Sequence, residues 1–310
     1  MNSIRIKTPA TVANLVCGFD ILGLCLHEPA DIMEVHLLPE RRLVVRSADG
    51  YDLPSDPAQN TAGAPLIELM NSLSEDIGFD VTIHKKIKPG SGLGSSAASA
   101  AGAVVAANHL LGGRFSREDL VRFAMFGEKV ASGVKHADNV APCIYGGITL
   151  IRSIFPLDII PVPAPPLYVT AVHPQIEVKT ADARQILRKE VLLKDAIRQW
   201  GNIAGLMAGL MQNDYDLIGR SLEDVLIEPV RRILIPGFDE LKSSCKEAGA
   251  LGGGISGSGP SVFMLSRDEA TALRVEGIMK EIYTRIGLDF YTYVTTLNKS
   301  GCTIIEEPKS

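Results

Sequence analysis

Aromatic side chains are scarce, at 5% of 310 residues with a single Trp, and no basic run is interleaved with them. A stacking track for single strands and a cationic stripe for a phosphate backbone are therefore both missing. The 31 bases are outnumbered by 36 acids, for a net charge of −5, so nucleic acid is not an expected partner. The five cysteines (Cys17, Cys25, Cys143, Cys245 and Cys302) show no CxxC spacing and no histidines at zinc-finger distances. They read as reduced core or loop thiols. No membrane-spanning apolar run occurs, because the small-residue stretch Ala97–Leu111 is broken by Asn108 and His109. The opening MNSIRIKTPATVANLV lacks the charged-then-apolar layout of a signal peptide, which places the expected protein in the cytoplasm.

What is present is the composition of an enzyme-sized soluble chain, 46% hydrophobic and 22% charged. Its length favours two domains over one core. Ile4 and Ile6 alternate with Arg5 and Lys7, the pattern of a strand expected to end at Pro9 and pass into a loop. Further strands are expected at Asp31–Leu38, Leu43–Arg46 and around Val81 and Ile83, with helices over 64–73, 95–111 and 116–131. Ser116 and Asp119 open the last of these in a capping-box arrangement. The five prolines between Phe155 and Pro166 suit an edge strand and linker, and the boundary is set there: residues 1–160 and 161–310. The second part reads as strands near 167–173, 262–265, 290–296 and 302–306 and helices near 191–212, 238–248 and 266–286. Without a regular strand–helix alternation, the class is α+β.

The segment PGSGLGSSAAS, Pro89–Ser99, puts three glycines and four serines after a strand and at the head of an alanine-rich helix. Glycines let the backbone take positive φ and approach a ligand, and the first helical turn offers unpaired N–H groups and partial positive charge. Phosphate oxygens match that environment. The run is neither GxxxxGKS nor GxxxxGKT, since no lysine follows the last glycine, and it lacks the acid of a dinucleotide fingerprint. A plain glycine–serine linker is the bland reading, and a linker seldom abuts such a helix.

Two further segments, PATVANLVCGFDILGLCL from Pro9 and GGGISGSGPSVF from Gly252, complete a set that resembles the three signature motifs of the GHMP kinases, in order and across nearly the whole chain. Ala13, Asn14, Gly18, Phe19 and Asp20, with HADNVAP from His136, KTADAR from Lys179 and EPVR from Glu228, are most similar to the branch that phosphorylates L-homoserine. Val12, Val16 and Cys17 depart from the residues commoner there. The resemblance implies a ribosomal-protein-S5-like N-terminal domain that binds nucleotide and a ferredoxin-like C-terminal domain that adds substrate residues. The active site would lie between them, with the third motif closing over phosphate and substrate.

It also implies ATP and Mg²⁺ as cofactors, O-phospho-L-homoserine as product on the route to threonine, and a homodimer. Nucleotide contacts would come from Asn60 and from Pro89, Gly90, Ser91, Gly92, Leu93, Gly94, Ser95, Ser96, Ala97, Ala98 and Ser99. Ser96 and Glu128 would ligate the metal. Asn14 and Asp20 would meet the substrate ammonium, Arg184 and Arg231 its carboxylate, with His136, Thr180 and Gly257 as further contacts. Asn139 stands where relatives carry an aspartate base, and an amide cannot accept the proton. Asp138 is adjacent but is expected to point away, so Asn14 and Asn139 would align the hydroxyl without a dedicated base. A kinase for another alcohol such as mevalonate, or a non-catalytic nucleotide-binding relative, are the competing readings. On the residues alone, Glu128 and each arginine would pass for solvated surface charges.

Overall fold

The computed structural model describes residues 2–178 and 180–306, apart from the side chains at positions 180, 181 and 306. The Ile4/Ile6 alternation does form a strand, but β1 (Ser3–Ala13) runs through Pro9 to Ala13. It pairs antiparallel with β2 (Leu22–Leu38), and the register shifts between Pro9 and Thr11. That irregularity lets a residue without an N–H sit inside a ladder. The loop expected after Pro9 thus shrinks to the turn joining Ala13 to Leu22.

Next come β3 (Leu43–Ser47), α1 (Gly63–Asn71), β4 (Gly78–His84), α2 (Ser95–Leu110), α3 (Arg117–Ser132), α4 (Val140–Tyr145), β5 (Ile148–Ile154) and β6 (Leu157–Val162). The second half supplies β7 (Tyr168–Pro174), α5 (Thr180–Gln185), α6 (Leu193–Gln212), α7 (Tyr215–Ser221), α8 (Glu228–Arg231), α9 (Phe238–Glu247), β8 (Gly252–Ile255), β9 (Val262–Ser266), α10 (Glu269–Ile286), β10 (Phe290–Thr296) and β11 (Thr303–Glu306). The longer helices lie within a few residues of the ranges read from the sequence. The short α4, α5, α7 and α8 and strands β5 and β8 were not expected, the helices because four to seven residues make at most two turns; β6 is the edge strand expected between Phe155 and Pro166.

A seven-stranded sheet holds β11-β1-β2-β4-β3, with β5 joining β2 and β6 on the outer side of β5; only the β3–β4 pair is parallel. A four-stranded antiparallel sheet runs β10-β7-β9-β8. Residue 160 falls inside β6, and β11 crosses back from the second half to flank β1.

Helix α2 is buried along nearly its whole length by Ala97, Ala98, Ala100, Ala101, Ala103, Ala106 and Ala107, between the seven-stranded sheet and α1, α3 and α4. Small side chains allow this depth. A Cβ at Gly127 of α3 would meet Thr61 O at 2.4 Å and Ala100 Cβ at 2.7 Å, so only glycine permits the approach that brings α3 against α2. The expected capping box starts α3: Ser116 Oγ accepts from Asp119 N at 3.1 Å, and Asp119 Oδ2 accepts from Ser116 N at 3.2 Å.

Candidate active site

One cleft of about 310 Å³ collects residues from both halves of the chain, from Asn14 and Asp20 through Gly90 and Ser96 to Arg184, Arg231 and Gly257. Its floor is the glycine-rich turn at the head of α2. Gly94 caps that helix at φ 69°, and a Cβ there would lie 2.0 Å from Thr11 Oγ1 and 3.1 Å from Asn139 Oδ1. The third motif braces the turn from behind, with Ser256 Oγ donating to Gly92 O at 2.7 Å and Ser261 N to Ser91 O at 3.2 Å. Gly257 and Ser258 reach the cleft wall.

Beside the turn, Ser96 Oγ donates to Glu128 Oε1 at 2.7 Å. Burial pushes the Glu128 carboxyl above its ordinary range, against the pull of the Ser96 hydrogen bond. A hydroxyl and a carboxylate touching at the start of a helix form a hard-oxygen donor pair without a cation of their own. No cluster of three or more His, Cys, Asp or Glu suited to a metal exists among the described residues. Any ion here would draw its other ligands from phosphate and water.

At the far end, Arg184 Nη2 donates to both oxygens of Asp20, at 2.9 and 3.1 Å, and His136 Nδ1 lies 3.8 Å from the same carboxylate. Burial pulls His136 down, and its Nε2 has no partner among the described residues. Arg231, 3% exposed, is fixed by Ala183 O at 3.0 Å and Gly257 O at 3.1 Å. Burial, and then the charge of Arg184, lower its pKa to about 10. Both guanidinium groups lie over Phe19, 5.5 and 5.0 Å from its ring centre. Arg184 is paired with Asp20, whereas the bonds Arg231 makes go to carbonyl oxygens, so its guanidinium suits a carboxylate. Asn14 Nδ2 donates to Gly257 O at 2.9 Å while its Oδ1 accepts from Asp20 N at 3.1 Å.

Asn139 Oδ1 accepts from Thr11 Oγ1 at 2.8 Å, which leaves its amide N–H groups as the polar face it can offer. Asp138 does not point away as expected: it lines the cleft together with Asn139. Burial first, then the charges of Asp20 and Glu128, raise its carboxyl to about 8.

The cleft thus gathers Asn14, Asp20, Pro89, Gly90, Gly92, Gly94, Ser95, Ser96, Ser99, Glu128, His136, Asn139, Arg184, Arg231 and Gly257 of the residues singled out in the sequence. Ser91, Leu93, Ala97 and Ala98 are buried behind it and shape the turn from within. Asn60 stands beside this lining. Its side chain bonds Pro54 O and Ala62 N, both at 2.9 Å, and so builds the turn into α1 while Leu53 and Thr61 line the wall. The Thr180 side chain lies outside the described residues.

The sequence reading missed Phe19 as a platform, Thr11 as the partner of Asn139, and the buried Lys85. Lys85 Nζ bonds Asp31 Oδ2 as well as Ser95 O at 3.1 Å and Ser99 Oγ at 3.2 Å, clamping the first turn of α2. Its one sequence signal is a lysine-rich stretch directly before the glycines.

Fold and site together define a small-molecule kinase architecture, and the chain belongs to the GHMP kinases. The family's N-terminal domain matches residues 62–147 and its C-terminal domain residues 206–285. Within the family the full-length likeness is to homoserine kinases. That of Chloroherpeton thalassium is 44% identical over 98% of this chain and 100% of its own length. That of Methanocella arvoryzae is 41% identical over 98% of each. The crystal structure of homoserine kinase from Cytophaga hutchinsonii superposes with a TM-score of 0.94 at 45% identity, covering 98% of both chains. Mevalonate kinase from L. major, at 17% identity and a TM-score of 0.72 over 96% of each chain, shares the fold.

Proposed function

We propose that this protein transfers the γ-phosphoryl group of ATP to the side-chain hydroxyl of L-homoserine, giving O-phospho-L-homoserine and ADP for threonine biosynthesis. The carrying observation is the cleft itself, with a phosphate-type turn and the Ser96–Glu128 oxygen pair at one end and Asp20, Arg184 and Arg231 at the other. An amino acid spans that layout with its ammonium toward Asp20, its carboxylate toward the arginines and its hydroxyl toward the turn. The full-length likeness to homoserine kinases supports the same substrate.

Ser96 and Glu128 fit Mg²⁺, a hard cation that keeps waters and shares phosphate oxygens; when bound, it neutralises charge on the transferring group. The amides of the Gly90–Ser96 turn hold the phosphates. Asn139, oriented by Thr11, offers an N–H to the attacking hydroxyl oxygen. Transfer through a loose transition state rests on this alignment, so no dedicated base is assigned.

The protein acts in the cytoplasm, where its five free thiols stay reduced. No helix among the described residues is long and apolar enough to cross a membrane. Homodimer assembly belongs to the same reading, since α6 exposes Leu193, Ile197 and Trp200 as an apolar face. Light scattering measures it.

A coupled ADP assay with Mg·ATP and either homoserine or mevalonate tests the proposal. Homoserine-dependent ADP release with a new phosphate ester by ³¹P NMR is the expected result. Turnover with mevalonate alone, or with neither, would overturn it.

A further inference from the structure

We infer that Gln199 is a positioning residue that holds the turn bearing Asn14, Phe19 and Asp20 in register with Arg231, and so sets affinity for the amino-acid substrate. The inference rests on the substrate roles proposed above.

That turn is strained. Asn14, Leu15, Val16 and Asp20 adopt φ of 75°, 39°, 65° and 61°, and among the described non-glycine residues only Asn213 also has a positive value. For leucine and valine this region is costly, so such a conformation persists only where neighbouring groups over-determine it. Gly18 N donates to Asn14 O at 2.8 Å and Asn14 N to Leu22 O at 2.7 Å, which closes the turn on itself. These bonds do not orient it toward the rest of the cleft.

Gln199 does. It sits on the inward face of α6 beside the buried Ala196, Leu206 and Leu210, and is itself 4% exposed. A polar side chain at such a depth must satisfy its bonding groups or cost stability. Its Nε2 donates to Cys17 O at 2.8 Å, in the middle of the strained turn. Its Oε1 accepts from Val225 N at 3.0 Å. The neighbouring Asp224 carboxylate accepts from the N–H groups of Leu226, Ile227 and Glu228, the first at 2.9 Å, and these lead directly into α8 and Arg231.

The circuit closes on the opposite side, where Asn14 Nδ2 and Arg231 Nη1 both donate to Gly257 O. Gln199 is therefore the strut behind the substrate end of the cleft, joining the two segments that carry its anion- and cation-recognising groups. An amide carries a donor group and an acceptor group in a single side chain, as the two ends require.

Two variants test this, with amide exchange as a readout independent of catalysis. Gln199→Met loses both bonds at similar volume. Gln199→Glu keeps the acceptor for Val225 N and loses the donor to Cys17 O. For both, KM for homoserine should rise about tenfold or more, while KM for ATP stays within about twofold. Amides of residues 14–22 should exchange faster than in the wild type, with those of 90–98 unchanged. If the wild type shows no homoserine turnover, the proposed function fails and the exchange data alone decide the strut. The inference is overturned by unchanged homoserine KM and exchange, by both KM values rising together, or by failure of both variants to fold, each of which leaves Gln199 a packing residue.

Discussion

At the scale of single residues, the cleft holds two carboxyls whose protonation is set by burial. Among the described residues Glu128 has no cationic partner, so its charge costs stability until a metal nucleotide arrives. Glu128→Gln should therefore melt at the same or a higher temperature without ligand and yet lose ~10²-fold or more in kcat, as steady-state assays and thermal melts would show. Asp138 carries its proton up to about pH 8 in the fold, against 3.8 when free. Between those values the folded chain keeps a proton that the unfolded chain has released, so this group's contribution falls as pH rises through the window. Melts of Asp138→Asn should accordingly gain on the wild type from pH 5 to pH 8. The same variant should keep most of its turnover; a loss of ~10⁴-fold with unchanged KM would instead make Asp138 the base.

At the scale of elements, α2 ties phosphate recognition to folding. Its head is held by Lys85, just past the end of β4, paired with Asp31 of β2, and by Gly94, which packs where any side chain would strike Thr11. Gly94→Ala forces a Cβ into that contact at a φ that L-residues avoid. It should cost about 1–3 kcal/mol of stability by urea titration and abolish nucleotide binding by calorimetry, because the displaced turn no longer aims its amides at one point. Lys85 and Asp31, 4% and 0% exposed, belong to the same support. Removal of one partner alone would strand a buried charge.

At the scale of the whole molecule, three cores are recognisable, and the middle one is shared. One lies between the seven-stranded sheet and α1–α4, and another beneath α9 and α10 on the four-stranded sheet. Between them, Val12, Leu24 and Ala98 from the first half pack with Val169, Leu206 and Phe263 from the second. Leu26 also bridges to Leu297, and β11 lies against β1. A division near residue 160 is thus crossed by a continuous apolar interior and by a returning strand. Calorimetry should record one cooperative transition, shifted upward by Mg·ATP; two separated transitions would show that the halves fold independently.

The sequence by itself determined the class, the long elements and the motifs. Periodicity over ten or more residues is a local signal, and glycines with serines at a helix head have a local meaning. It also supplied most of the residues that meet in the cleft, since Asn14, Ser96, Glu128, Arg184 and Arg231 all arrive there. Only the tertiary structure decided that Asn60 builds a turn, that Asp138 and Asn139 face the same space, and that Phe19 lies under two guanidinium groups. The same holds for Gln199, which joins a strained turn to the segment that leads into α8. Each of these depends on which distant backbone atom lies within about 3 Å, the length of a hydrogen bond, and chain order carries no such distance.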